Sequence, residues 1–209
     1  MRTNGEFTVK MRLGLMGGTF DPIHYGHLAA AEAARYEFAL AKVVFIPAGQ
    51  PPHKPEQTVS PAVHRVAMVR LAISSNPYFE ISTMEVERPG PSYTVDTLAE
   101  FRRLCPSAAL HFITGADAVA EIPAWHRFEE LLGLCLLVGV TRPGHSLEDL
   151  REGLTGLGAE LRQRIRVLPV PGVAVSSSEI RERVRTGKPI KYLLPEAVEE
   201  YIFRHGLYI

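Results

Sequence analysis

Cysteine is scarce in this chain. Cys105 and Cys135 are the only two, and they are not clustered. That excludes a disulfide framework or a thiolate zinc cage and fits a reducing cytoplasm. Excess charge is missing as well: 23 basic residues balance 23 acidic ones. A nucleic-acid or membrane surface built on a basic cluster is therefore not expected. The longest apolar stretch, Leu131 to Val140, contains Gly133 and Gly139 and is too short to span a bilayer. The leader Met1 to Lys10 lacks the apolar centre of a secretory signal. Two familiar phosphate motifs are absent too. No Gly-x-Gly-x-x-Gly follows the first strand, and no Gly-x-x-x-x-Gly-Lys-[Ser/Thr] occurs anywhere. Repeats and low-complexity segments are lacking.

What is present suits one α/β domain. The chain has 209 residues, 46% of them hydrophobic and 22% charged, enough to bury a full core. Strand-like and helix-like segments alternate. Strands are expected at Arg12–Met16, Val43–Ile46, Phe79–Ser82, Leu110–Thr114 and Leu134–Val140. Helices are expected at His27–Leu40, Ala62–Ser75, Thr94–Leu104, Ile180–Arg185 and Pro195–Phe203. In 62–75 the apolar positions are Val63, Val66, Ala67, Val69 and Ala72, and Thr94 is the expected cap of 94–104. The alternation implies right-handed crossovers and a doubly wound parallel sheet flanked by helices. A leader, 1–11, would precede a single domain, 12–209, with a small helical C-terminal part from about 174.

The most informative segment is Gly17-Gly18-Thr19-Phe20-Asp21-Pro22-Ile23-His24-Tyr25-Gly26-His27. It joins a strand to a helix rich in alanine. Free backbone N–H groups, the positive end of a helix and two imidazoles converge there, and glycines permit close approach of an anion. A lone His-x-x-His usually caps and packs. Eleven positions in strand-to-helix context favour a polyphosphate cradle instead. Ser176-Ser177-Ser178-Glu179-Ile180-Arg181 is a second candidate cradle: hydroxyls at a helix start, with the planar fork of Arg181 one turn in.

The first segment resembles the signature of the nucleotidyltransferase superfamily. The second resembles that superfamily's Ile-Ser-Ser-Thr-x-Ile-Arg motif, with Val175 and Ser178 as mild departures. Pro51-Pro52-His53-Lys54, Pro91-Ser92-Tyr93-Thr94, Gly115-x-Asp117, Trp125 and Arg142-Pro143-Gly144 follow the order and spacing found in bacterial nicotinate-nucleotide adenylyltransferases. So does the ending through Tyr201-Ile202 and Leu207-Tyr208. The resemblance runs from Arg12 to the C-terminus. It implies a Rossmann-like fold and transfer of the adenylyl group of ATP to nicotinic acid mononucleotide, giving nicotinic acid adenine dinucleotide and pyrophosphate.

The resemblance also implies roles for residues. His24, His27 and Arg181 would be catalytic. Gly17, Gly18, Thr19, Phe20, Ser177 and Ser178 would complete the ATP site. His53, Lys54, Tyr93, Thr94, Asp117, Trp125, His126 and Arg142 would hold the mononucleotide, with Trp125 stacked on the pyridine ring. Asp117 would touch ribose hydroxyls or a metal-bound water. Mg2+ would accompany ATP, with no dedicated protein metal site, and a homo-oligomer is allowed. The rival readings are an adenylyltransferase for nicotinamide mononucleotide or phosphopantetheine, and a nucleotide-binding module without turnover.

Overall fold

Residues 13–16 are buried on both faces, as a central strand of a parallel sheet must be. This strand, β1 (Arg12–Gly18), continues through both glycines. The computed structural model describes residues 11–51, 59–141, 154, 156–170 and 174–209. His53, Lys54, Arg142 and nearly all of the leader lie outside them. β1 is followed by α1 (Tyr25–Glu37), β2 (Lys42–Pro47), α2 (Ala62–Ile73) and β3 (Phe79–Ile81). Next come α3 (Met84–Glu87), α4 (Thr94–Leu104), β4 (Ala109–Gly115), α5 (Ala116–Ala120) and a 3-10 turn (Ile122–Ala124). The remaining described elements are α6 (Phe128–Leu134), β5 (Leu136–Thr141), α7 (Ala159–Arg162), β6 (Ile165–Pro169), α8 (Ser177–Arg185) and α9 (Glu196–Arg204).

Among the described residues the sheet has six parallel strands in the order β3-β2-β1-β4-β5-β6. Side chains alternate across it, so the central strands feed two cores. Met16, Val43, Phe45 and Val138 pack under α1, α2, α8 and α9. Leu15, Val44, Ile46, Phe112 and Leu137 pack under α4, α5 and α6. The expected doubly wound sheet is therefore present. The chain winds outward from β1 to β3, then crosses back to β4 on the other side of β1. Ligands of such sheets settle beyond the strand ends at that reversal.

Several expectations shift. Helix α1 begins two residues early, at Tyr25, and stops at Glu37 rather than Leu40. Ala39 takes φ 49°, and the Leu40 amide reaches back to the Arg35 carbonyl at 2.9 Å, a left-handed helix stop without its usual glycine. Thr94 does not cap α4: the capping position is Tyr93, and no side chain fills the role. Strand β5 begins at Leu136, because Cys135 ends α6 instead. Strand β6 and helices α3, α5, α6 and α7 were not expected. On α2, Val63 is 69% exposed while Arg65 is 2% exposed, so the buried stripe is Arg65, Met68, Val69, Ala72 and Ile73.

Candidate active site

The loop between β1 and α1 is held by its carbonyls. Arg65, rooted in α2, donates from Nη1 to the Thr19 carbonyl at 2.9 Å and from Nε to the Ser60 carbonyl at 2.9 Å. Its Nη2 reaches the Gly49 carbonyl at 3.4 Å. Burial lowers the guanidinium's affinity for its proton, and Asp21 opposes that. Arg65 stays charged, because arginine starts so high. Phe20, at φ 51°, turns its ring beneath Gly18. A Cβ there would stand 3.0 Å from the Phe20 ring. The Asp21 carboxylate is 3% exposed and accepts from the Ser60 amide at 3.1 Å and the Tyr208 hydroxyl at 2.6 Å.

The loop delivers both histidines to the start of α1. His24 occupies the capping position and is 1% exposed. Its ring stacks on His27 with centroids 3.8 Å apart and 25° between planes. The His24 amide donates to His27 Nδ1 at 3.3 Å. A ring nitrogen that accepts carries no proton, so neutral His27 holds its hydrogen on Nε2. Phe20 meets the His27 ring edge-on at 5.1 Å. Gly26 lies against this pair: a Cβ there would stand 3.0 Å from His24 Cε1 and Nδ1.

The second cradle closes on the first. Ser176 caps α8 by accepting from the Glu179 amide at 3.1 Å. Ser177 Oγ donates to the Pro22 carbonyl at 2.9 Å. Arg181 donates from Nη1 to the Asp21 carbonyl at 2.7 Å and from Nη2 to Ser178 Oγ at 3.3 Å. Two segments far apart in sequence thus share one seam, with Val175 buried beside Gly26.

A cavity of about 200 Å³ opens beside this seam, lined by Gly17, Gly26, His27, Ala30, Gly115, Asp117 and Thr141 among others. These residues come from the ends of β1, β4 and β5 and the start of α1, the reversal point of the sheet. Asp117 is exposed, and its carboxylate folds over Gly115, where a Cβ would come within 2.2 Å of Oδ1. Among the described residues no three His, Cys, Asp or Glu side chains converge on a point suited to a metal ion.

Of the residues expected to hold the mononucleotide, Asp117 lines this first cavity, while Tyr93, Thr94, Trp125 and His126 form a second group. Phe112 connects it to the first: its ring comes to 3.0 Å from a Gly17 Cβ position and meets Trp125 edge-on at 6.3 Å. Trp125 is half-buried against the α4–α6 core, and Tyr93 lies 4.3 Å from the His126 ring. Thr94 opens α4. Arg127, at φ 52°, ties this turn to α4 by reaching Asp96 at 3.2 Å.

Sequence reasoning missed the supports. Ser92 Oγ accepts from the amides of Gly49 at 2.9 Å and Gln50 at 3.2 Å. Burial pushes the Glu85 carboxyl upward, against the opposing pull of Thr97, Arg88 and Ser92. A Cβ on Gly49 would lie 2.1 Å from the Glu85 carbonyl oxygen, so only glycine lets these loops meet. Arg65 had a visible signal: it sits three, four and seven positions before Met68, Val69 and Ala72, on the apolar stripe. Tyr208 had none.

Comparison with known proteins follows the same lines. The cytidylyltransferase-like family model matches residues 15–183. A probable nicotinate-nucleotide adenylyltransferase of Moorella thermoacetica is 58% identical over 198 residues, covering 94% of this chain and 91% of the relative. One from Thermoanaerobacter sp. is 52% identical over 200 residues, covering 95% of each. Among solved structures, the nicotinic acid mononucleotide adenylyltransferase of Plasmodium falciparum, complexed with NaAD, superposes with a TM-score of 0.77. It is 18% identical and covers 95% of this chain and 97% of that one. At that identity the likeness speaks for the fold. No described helix is long and apolar enough to cross a membrane.

Proposed function

The chain belongs to the cytidylyltransferase-like family and, within it, to the nicotinate-nucleotide adenylyltransferases, and on that premise we propose how it works. It is a nucleotidyltransferase of NAD biosynthesis. It transfers the adenylyl group of ATP to nicotinic acid mononucleotide, releasing pyrophosphate. The observation that supports the residue roles best is the seam itself, where Arg181 and Ser177 grip the carbonyls of the loop carrying His24 and His27.

The reaction needs little acid–base chemistry. An oxygen of the mononucleotide phosphate, already ionised at neutral pH, attacks the α-phosphorus of ATP. The bond from that phosphorus to the bridging oxygen breaks, and its electrons leave with pyrophosphate. Catalysis then rests on alignment and on stabilising charge. His27 presents Nε2–H to the α-phosphoryl group in transfer, and the stacked His24 fixes the plane of that ring. Gly17, Gly18 and Thr19 admit the β and γ phosphates, Phe20 supports them from beneath, and Ser177, Ser178 and Arg181 close over them. On the other side Trp125 stacks on the pyridine ring. Thr94 and His126 offer backbone amides to its carboxylate, Tyr93 braces that turn, and Asp117 lies toward the ribose hydroxyls. His53, Lys54 and Arg142 are assigned to the mononucleotide phosphate on family resemblance alone.

Magnesium fits as a companion of ATP rather than a resident ion. Asp117 is the carboxylate that lines the cavity, and a hard cation held by phosphate oxygens and water needs no more than that. When bound, it would neutralise charge on the departing pyrophosphate. A cytoplasmic setting fits a chain whose two cysteines, Cys105 and the buried Cys135, are not paired with each other. The test is pyrophosphate release from ATP with nicotinic acid mononucleotide and nicotinamide mononucleotide in turn. Faster turnover of the acid form, with the dinucleotide identified by mass, is expected. Preference for the amide would overturn the substrate assignment. Tight ATP binding without turnover would favour a binding module.

A further inference from the structure

The end of the chain reaches the triphosphate loop. Helix α9 packs on α2, where the Tyr201 hydroxyl meets His64 Nδ1 at 3.0 Å. Beyond α9 the chain turns, and Tyr208 adopts φ 68°. An aromatic residue holds that left-handed conformation only where its contacts fix it. The contacts are specific. The phenol donates to Asp21 Oδ1 at 2.6 Å. The Ser60 amide takes the other oxygen of the same carboxylate at 3.1 Å. The main-chain carbonyl of Asp21 is the group that orients Arg181, at 2.7 Å.

We propose that Tyr208 is a positioning residue for adenylyl transfer: acting through the Asp21 carboxylate, it fixes the turn whose carbonyl aims Arg181 at the triphosphate. This rests on the functional reading above. Asp21 is 3% exposed, so water does not readily replace a lost donor. Without the hydroxyl, the carboxylate is left to the Ser60 amide and to the attraction of Arg65. The turn rotates, and Arg181 loses its reference. Burial and the Asp21 charge push the phenol well above its ordinary range, so the donor persists at every working pH.

The full chain carrying Tyr208→Phe tests this beside Tyr36→Phe, whose ring is 80% exposed, as the control. A hydrogen bond to a charged group is large enough for kcat to fall about tenfold. The KM for ATP should rise, while the KM for nicotinic acid mononucleotide stays within twofold. Asp21→Asn should give a similar loss, and the double variant little more. The proposal is overturned if Tyr208→Phe turns over within twofold of wild type. It is also overturned if the loss matches the unfolded fraction seen by melting, since Tyr208 would then be only a brace. Should the wild type release no pyrophosphate with either mononucleotide, the functional reading fails instead. ATP affinity measured by calorimetry then decides on Tyr208: weaker binding in the variant supports the proposal, and equal binding refutes it.

Discussion

Placing a single methyl group on Gly26 should separate stability from activity. An alanine Cβ there stands 3.0 Å from two atoms of the His24 ring and 3.5 Å from Val175 Cγ1. Comfortable carbon contacts lie near ~3.5–4.0 Å, so the ring must yield by about 0.5 Å. It cannot do so alone, because His24 is 1% exposed and stacked 3.8 Å from His27. Alanine in place of a helical glycine contributes about 1 kcal/mol of stability, and crowding costs about 1–3 kcal/mol. The net change should be a loss of about 0–2 kcal/mol, leaving the protein folded. Activity is more exacting: a shift of about 1 Å costs on the order of 100-fold, so half that displacement costs about tenfold. Coupled pyrophosphate release gives kcat, and urea unfolding gives stability. A Gly26→Ala protein with kcat within twofold of wild type would refute the reasoning that the stacked imidazoles set the transferring phosphate.

Other perturbations probe the remaining supports. Trp125→Ala should raise the KM for the pyridine mononucleotide by about tenfold or more and spare that for ATP, since stacking is worth about 1–3 kcal/mol; an unchanged KM would reduce Trp125 to packing on Phe112. Arg65→Met strips three carbonyls of their donor and should cost about 3–5 kcal/mol in urea unfolding, whereas a loss below about 1 kcal/mol would mean the loop holds itself. Glu85 supplies a pH signature. Burial raises its carboxyl above the unfolded value of 4.5, so the folded state prefers the protonated form. That stabilisation is complete below about pH 4.5 and is lost as pH rises through the folded value. The stability of wild type relative to Glu85→Gln should therefore decline as pH rises above the ordinary carboxyl value of 4.5, and a difference that ignores pH would contradict the burial argument.

Local chemistry made much of this molecule legible. The β1–α1 segment was readable because glycine, proline and histidine leave few alternatives at a strand-to-helix turn. Helix α4 matched its expected bounds, Thr94 to Leu104, because polar punctuation brackets it. What stayed hidden depends on tertiary structure. The stop of α1 at Ala39 relies on packing to hold a left-handed alanine. Strand β6 alternates too weakly to announce itself, with Arg166 exposed between Ile165 and Val167. Helix α6 merged with β5 because Leu131 to Val140 reads as one apolar run. The Arg65 knot and the Tyr208–Asp21 bond join residues whose types carry no hint of each other. The two cradles could be named from the sequence, whereas of the supports beneath them only Arg65 left a mark, by its place on the apolar stripe of α2.

The most direct test is a crystal structure with a non-hydrolysable ATP analogue bound. The account predicts one triphosphate with His27 Nε2 within hydrogen-bond distance of an α-phosphate oxygen and the Arg181 guanidinium on the β or γ oxygens of the same molecule. A triphosphate that contacts one of these side chains and leaves the other more than one water away would contradict it.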